Sequence, residues 1–200
     1  MKKLTIDDIQ DSRAYERERE EFQRRIIELK RTRRVQLGPV MTIVFENTET
    51  MRWQVQEMAR VERMLRDEQI AHEVDTYNQI IPDADELSGT LLLELTSEVA
   101  LREWLPRLVG IEYHVRIVLP DGTAIRGVPS EDDESRLTRP DMTAAVHFLK
   151  FQFTPDEIEM FASGPVHIVV DHPEYDQDVV LTEEQHAALL GDLRDESSSS

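Results

Sequence analysis

Apolar residues alternate with polar ones in several stretches of the chain, a pattern that predicts half-buried β-strands. The stretches with this period are 88–95, 113–119 and 143–153; residues 40–46, which are rich in β-branched and aromatic side chains, and residues 123–128 and 166–170 are also predicted to be strands. Asp121-Gly122 stands between two of them and predicts a tight hairpin turn. We therefore predict an α+β protein with a mainly antiparallel sheet of about five or six strands and packed helices. Phe151 and Ile168 must both lie in strands if this prediction holds.

Other stretches show apolar residues every three or four positions, which is typical of amphipathic helices. One helix should follow Asn47, with its core side formed by Val55, Met58, Val61 and Leu65. Glu62 falls on the edge of that face, where an ionised carboxylate needs a partner such as Arg66. The stretch 70–82 predicts a short strand or a turn of helix followed by an irregular connection.

Capping residues mark the later helices. Ser97 should cap a helix that ends or kinks near Leu105, because proline follows. Capping boxes that begin at Thr154 and Thr182 predict two more helices, the second ending before Gly191. The acidic, proline-bounded stretch 129–140 predicts a solvated loop.

The first 35 residues predict a helical arm ahead of one α+β domain at 36–194, with a disordered acidic and serine-rich tail at 195–200. A helix should follow Asp11-Ser12 and run to about Arg33. Its narrow apolar stripe consists of Tyr15, Phe22, Ile26 and Leu29. This stripe either docks on its own domain or forms a coiled-coil-like contact with another protein chain, which could be a second copy of this chain or a different partner.

Charge narrows the possible partners. The formal net charge is -18, which disfavours nucleic acid and anionic membrane surfaces. Residues 1–34 hold 11 basic and 8 acidic residues, so the acidity lies in the body, which can steer a basic partner. Adaptation to high salt is an alternative cause of such acidity. The basic run 30–34 complements a helix C-terminus as readily as it would a nucleic acid.

Cysteine is absent, which excludes disulfides, thiolate nucleophiles and cysteine-held iron–sulfur clusters in this chain. No signal-peptide core and no apolar run long enough to span a membrane is present, so we expect a cytoplasmic protein. Phosphate-loop, G-x-S-x-G, H-E-x-x-H and EF-hand motifs are also absent. The sequence predicts no cofactor.

Polar side chains among the apolar residues of 44–95 form the candidate site. Its members are Glu46, Glu57, Glu62, His72, Glu73 and Tyr77. They predict either a metal site suited to iron, manganese or zinc, or carboxylates paired with neighbouring arginines. His72 and Glu73 are adjacent and cannot form a local metal site by themselves. His147 should be a buried, hydrogen-bonded histidine, whereas His172 and Tyr175 should be strand-exit residues.

Several longer segments resemble the bacterial family catalogued as domain of unknown function 3501. They are RRVQLGP, FENTETMRWQVQEMARVERML, HEVDTYNQIIP, ELSGTLLLEL, VHFLKF and VDHPEYD. The family has no assigned activity, so the resemblance implies no catalytic residues. Its genes often lie beside those for rubrerythrin-like and iron–sulfur oxidoreductase proteins, which implies a partner in redox metabolism. We therefore expect a non-enzymatic accessory of such a protein, with a metal-binding or carboxylate-dependent enzyme as the alternative.

Overall fold

The computed structural model describes residues 1–130 and 141–194, in which nine strands form two antiparallel sheets. The first sheet has the order β1-β2-β3-β7-β6, with β1 Arg34–Gln36, β2 Met41–Glu46, β3 Glu86–Leu93, β6 Val128–Pro129 and β7 Val146–Gln152. The second has the order β5-β4-β8-β9, with β4 Val115–Val118, β5 Ala124–Arg126, β8 His167–His172 and β9 Tyr175–Val180. Residues 131–140 of the loop predicted at 129–140, and the predicted tail at 195–200, lie outside the described residues, whereas Pro129 belongs to β6.

The main hydrophobic core joins the two sheets. Ile43 and Phe45 of β2 belong to the same buried cluster as Ile117 of β4 and Ile168 of β8. Phe151 of β7 is also fully buried there. These side chains share one face of each sheet because alternate residues of a strand point the same way. The α+β class, the antiparallel pairing and the strand positions of Phe151 and Ile168 are confirmed, but the strands form two sheets.

Six α-helices occur in the described residues. They are α1 Ser12–Arg31, α2 Thr48–Val61, α3 Asp67–Asn78, α4 Glu98–Arg107, α5 Pro155–Ala162 and α6 Glu183–Leu193. Short 3-10 turns occupy Ile6–Asp8 and Ile111–Tyr113. Val55 of α2 and Val74 of α3 form a second buried cluster against which Phe148 of β7 packs. Helices α2 and α3 therefore cover the face of the first sheet that points away from the second sheet.

The prediction of which residues of α2 face the core is partly wrong. Val55 is buried, but Val61 and Leu65 are 60% and 83% exposed. The buried face instead follows a spacing of four residues through Met51, Val55 and Ala59. Residues at i and i+4 stay on one side of a helix, whereas Val61 lies six positions beyond Val55 and turns outward.

Other element boundaries also differ from the sequence prediction. Residues 67–78 form one helix of 12 residues, where the sequence predicted a short strand or a turn of helix followed by an irregular connection. Helix α4 continues through Pro106 to Arg107, and α6 continues through Gly191 because Leu193 beyond it is buried. Strand β9 was not predicted, because its buried residue Tyr175 stands beside aspartates.

Replacing Thr182 with alanine should lower the free energy of unfolding by about 1 kcal/mol. The Thr182 side chain accepts a hydrogen bond from the Gln185 backbone N–H at 3.2 Å, and the Gln185 side chain accepts one from the Thr182 N–H at 2.9 Å. Urea unfolding of the purified protein measures the change. A Thr182→Ser variant keeps the hydroxyl and should match the wild type; equal losses in both variants would contradict a capping role.

Candidate functional site

The apolar stripe of α1 packs against α2. Tyr15, Phe22 and Ile26 are buried and Leu29 is half-buried. Phe22 meets Trp53 of α2 edge to face with ring centroids 5.3 Å apart, and Tyr15 meets the same indole at 6.3 Å. The four residues of the stripe therefore contact the chain's own domain, one of the two arrangements that the sequence allowed.

Glu57 lies at the centre of the polar contacts between α1 and α2. Its Oε1 accepts a hydrogen bond from the Tyr15 hydroxyl at 2.6 Å. Arg19 donates to both carboxylate oxygens, at 2.8 and 2.9 Å, and Arg60 donates from one turn further along α2. The bonds from Arg19 are the main reason that the pKa of Glu57 falls to about 2. Burial, followed by the bond to Glu57, raises the pKa of Tyr15.

The remaining candidate residues are spread over separate environments. Glu46 is buried on β2, where Oε1 accepts a hydrogen bond from the Thr90 hydroxyl at 2.7 Å. Glu62 and His72 are exposed, while Glu73 and Tyr77 are half-buried on α3. Burial raises the pKa of Tyr77, and the nearby Glu73 charge acts in the same direction. Glu57 thus has partners that are arginines and a tyrosine, as the ion-pair interpretation expects.

No group of three or more histidine, aspartate or glutamate side chains within residues 1–130 and 141–194 is arranged to hold a metal ion. The neighbours of Glu57 are cationic, and an arginine-paired carboxylate competes poorly as a metal ligand.

His147 is fully buried, as predicted. Its Nε2 lies 3.0 Å from the Thr143 hydroxyl and 3.1 Å from the Ala144 carbonyl oxygen. Its Nδ1 lies 4.0 Å from the buried carboxylate of Glu112. These contacts place the histidine in a polar cluster of the interior.

A groove of about 360 Å³ runs along α1 beside the aromatic contact with α2. Ile26, Ile27 and Trp53 supply its apolar lining, and Gln23, Lys30, Arg31 and Arg34 supply its polar lining. Ile27 is 62% exposed, and it shares the apolar lining of the groove with Ile26 and Trp53. The groove is therefore an open apolar surface with cations beside it.

The cations at the groove differ in their partners. Arg31 pairs with Glu28 at 3.0 Å and Glu184 at 3.5 Å, and Arg34 pairs with Glu94 at 2.8 Å. Lys30 makes no ion pair within the part of the chain that the structure describes. The sequence contained the basic run, but its position beside Ile27 and Trp53 depends on how α1 docks against α2.

These features define a class: a two-sheet α+β protein with a helical arm docked on its own domain and a mixed apolar and basic groove along that arm. A family model described as "protein of unknown function (DUF3501)" matches residues 3–193, and the chain belongs to that family. No curated protein matches it in sequence. No helix in the described ranges combines the length and apolar character needed to cross a bilayer.

The fold also has a solved counterpart. A crystal structure of a novel protein of unknown function from Burkholderia pseudomallei K96243 is similar to this chain, with 33% sequence identity and a TM-score of 0.88. The similarity covers 96% of this chain and 100% of the other. The two-sheet arrangement is therefore shared with an experimentally determined relative.

Proposed function

We propose that this chain is a non-enzymatic interaction protein that holds a short, acidic and amphipathic segment of a partner protein in the groove along α1. The observation that carries the proposal is the exposed Ile27 beside Trp53, with Lys30 at the same groove. An amphipathic segment inserts apolar side chains into such a groove and places carboxylates against its cations.

The arginines of the groove can change partners at small cost. Arg31, Glu28 and Glu184 are all more than half exposed, and surface ion pairs of this kind contribute about 0–1 kcal/mol. A carboxylate from a bound segment can therefore replace an internal partner of Arg31 or Arg34. Lys30 needs no such exchange, which makes it the cation that supports binding of an acidic segment most directly.

The acidic body restricts which partner can approach. A net charge of -18 repels a uniformly acidic protein but attracts a basic surface. We expect a partner that carries a short acidic segment within a neutral or basic protein. The redox association that the family resemblance implies is the reason for expecting a redox protein as that partner. In this proposal the present chain assists redox chemistry without carrying a metal or cluster.

Ile27→Asp should weaken partner binding at least about tenfold, because the anchor of the groove is lost and a charge faces the incoming carboxylates. Lys30→Glu should weaken it in the same direction. Val99→Asp is the matched control, since Val99 is 75% exposed on α4, away from the groove-lining residues. Ile27 and Val99 are exposed and Lys30 is half-buried, so the variants should keep a thermal midpoint close to that of the wild type.

The wild type and these variants are used as bait at low salt with extract of the native cells, and the retained proteins are identified by mass spectrometry. The expected result is a redox protein retained by wild type and Val99→Asp but lost from Ile27→Asp. The purified partner is then titrated against each variant. Retention by all variants would place the contact elsewhere, and sedimentation showing an Ile27-dependent dimer would assign the groove to a second copy of the chain.

A further inference from the structure

Two arginines face each other on the outer surface of the second sheet. Arg116 of β4 stands directly opposite Arg126 of β5. Like charges in opposite positions of neighbouring strands destabilise a sheet unless a counter-charge is present. Arg116 has such a counter-charge in Asp171 at 2.7 Å, whereas Arg126 makes no ion pair within residues 1–130 and 141–194. Among the described residues, Arg126 therefore adds a positive charge to this surface without a paired carboxylate.

Asp171 joins Arg116 to a histidine. One carboxylate oxygen accepts from Arg116 Nη1, and the other lies 3.2 Å from Nδ1 of His114. The Arg116 Nε–H is buried and has no hydrogen-bond partner among the described residues. The negative charge of Asp171 is thus already shared by Arg116 and His114, which leaves Arg126 as the cation that can bind a further acceptor.

The orientation of His114 is defined by its neighbours. A carboxylate only accepts hydrogen bonds, so Nδ1 of His114 carries the proton and Nε2 is left for another group. The His172 ring packs edge-on against His114 with centroids 4.9 Å apart. His172 is itself fixed, because Nδ1 accepts from the Glu174 N–H and Nε2 therefore donates to the Val109 carbonyl oxygen, both at 3.2 Å.

His114, Arg116, Arg126 and Asp171 line a cavity of about 210 Å³ together with Tyr113 and Val115, and the His172 ring supports His114 without lining the cavity itself. We propose that the cavity binds a phosphate group, either as inorganic phosphate or as a small phosphate monoester. Arginines bind phosphate oxygens through paired, charge-assisted hydrogen bonds, and the unprotonated Nε2 of His114 accepts a hydrogen bond from a P–OH group of the phosphate. Arg126 supplies a positive charge that has no ion-pair partner among the described residues. His172 is a positioning residue, because it packs against the ring of His114.

Isothermal titration with inorganic phosphate, and separately with glycerol phosphate, tests this site against sodium chloride at equal ionic strength. Wild type should bind at least one of the phosphates, and the stronger of the two identifies the source of the group. Arg126→Gln should bind about tenfold more weakly, because one charge-assisted hydrogen bond is lost. Arg102→Gln is the control. It alters an exposed arginine that lies on α4 and not at the cavity, and it should bind phosphate as the wild type does.

Ring signals of the histidines provide a second readout. Phosphate should shift the signals of His114 and its neighbour His172 but leave those of His147, His167 and His186 in place. Equal affinity in wild type and Arg126→Gln, or the same shifts with chloride, would overturn the proposal. Ile27→Asp should leave phosphate binding unchanged, so failure of the groove proposal and failure of this one can be distinguished.

Discussion

Replacing Asp192 with alanine should destabilise the protein by about 3–5 kcal/mol, because it leaves a buried guanidinium without its counter-charge. Arg33 is 5% exposed and forms a two-pronged contact with the Asp192 carboxylate, including an Nη2–Oδ1 hydrogen bond of 2.8 Å. Residues 33 and 192 come from opposite ends of the described chain. Loss of the carboxylate therefore affects the attachment of α6 as well as the solvation of Arg33.

Urea unfolding at neutral pH measures this loss. Glu184→Ala is the matched control, since Glu184 also joins α6 to the arm but through an exposed pair with Arg31; it should cost about 0–1 kcal/mol. A double replacement, Arg33→Met with Asp192→Leu, should recover most of the stability, because no buried charge then remains. An Asp192→Ala effect no larger than that of Glu184→Ala would show that the pair is solvated in solution.

Glu57→Gln should lower the free energy of unfolding by about 2 kcal/mol at pH 7. The pKa of the Glu57 carboxyl is about 2 in the folded protein against an ordinary value of 4.5. A carboxyl whose pKa is depressed by folding stabilises the protein above its unfolded pKa. That contribution is lost as pH falls from about 4.5 to about 2. The magnitude allows for partial screening, because the Glu57 side chain is 18% exposed.

The difference in stability between wild type and Glu57→Gln should therefore be constant near neutral pH and shrink toward zero as pH approaches 2. Unfolding curves at several pH values measure it. Glu62→Gln is the control at the C-cap of the same helix, because Glu62 is exposed and its replacement should have little effect at any pH. A difference that stayed constant down to pH 2 would mean that shape and hydrogen bonding, and not the charge of Glu57, account for the effect.

Local chemistry explains which parts of the fold could be predicted. Thr154 and Thr182 cap their helices, and Asp121-Gly122 forms its turn, because these residues satisfy backbone groups within a few positions. Helix α3 had a readable spacing in Ile70, Val74 and Tyr77, which pack on the same cluster, but its acidic residues obscured it. The division into two sheets depends on strand partners that are distant in sequence.

The candidate site was predictable in part for the same reason. The apolar stripe of α1 was visible, and the contact of Tyr15 with Glu57 follows from docking that stripe on α2. The sequence spacing of Glu62, His72 and Glu73 could not show that the first two are exposed, or that none of the three shares a hydrogen-bond partner of Glu57 among the described residues. Likewise, Arg116 lies opposite Arg126 because of the register of the hairpin. The type of turn sets that register, and composition does not reveal it.

The pairing of Arg33 with Asp192 has a consequence for the order in which the protein matures during translation. The arm emerges from the ribosome first, yet the partner of its buried cation is made 159 residues later. Until then Arg33 must remain hydrated, so the end of α1 and strand β1 cannot close into their final burial. The nascent chain should therefore keep this end of the arm open and complete the closure only after α6 has been released from the exit tunnel.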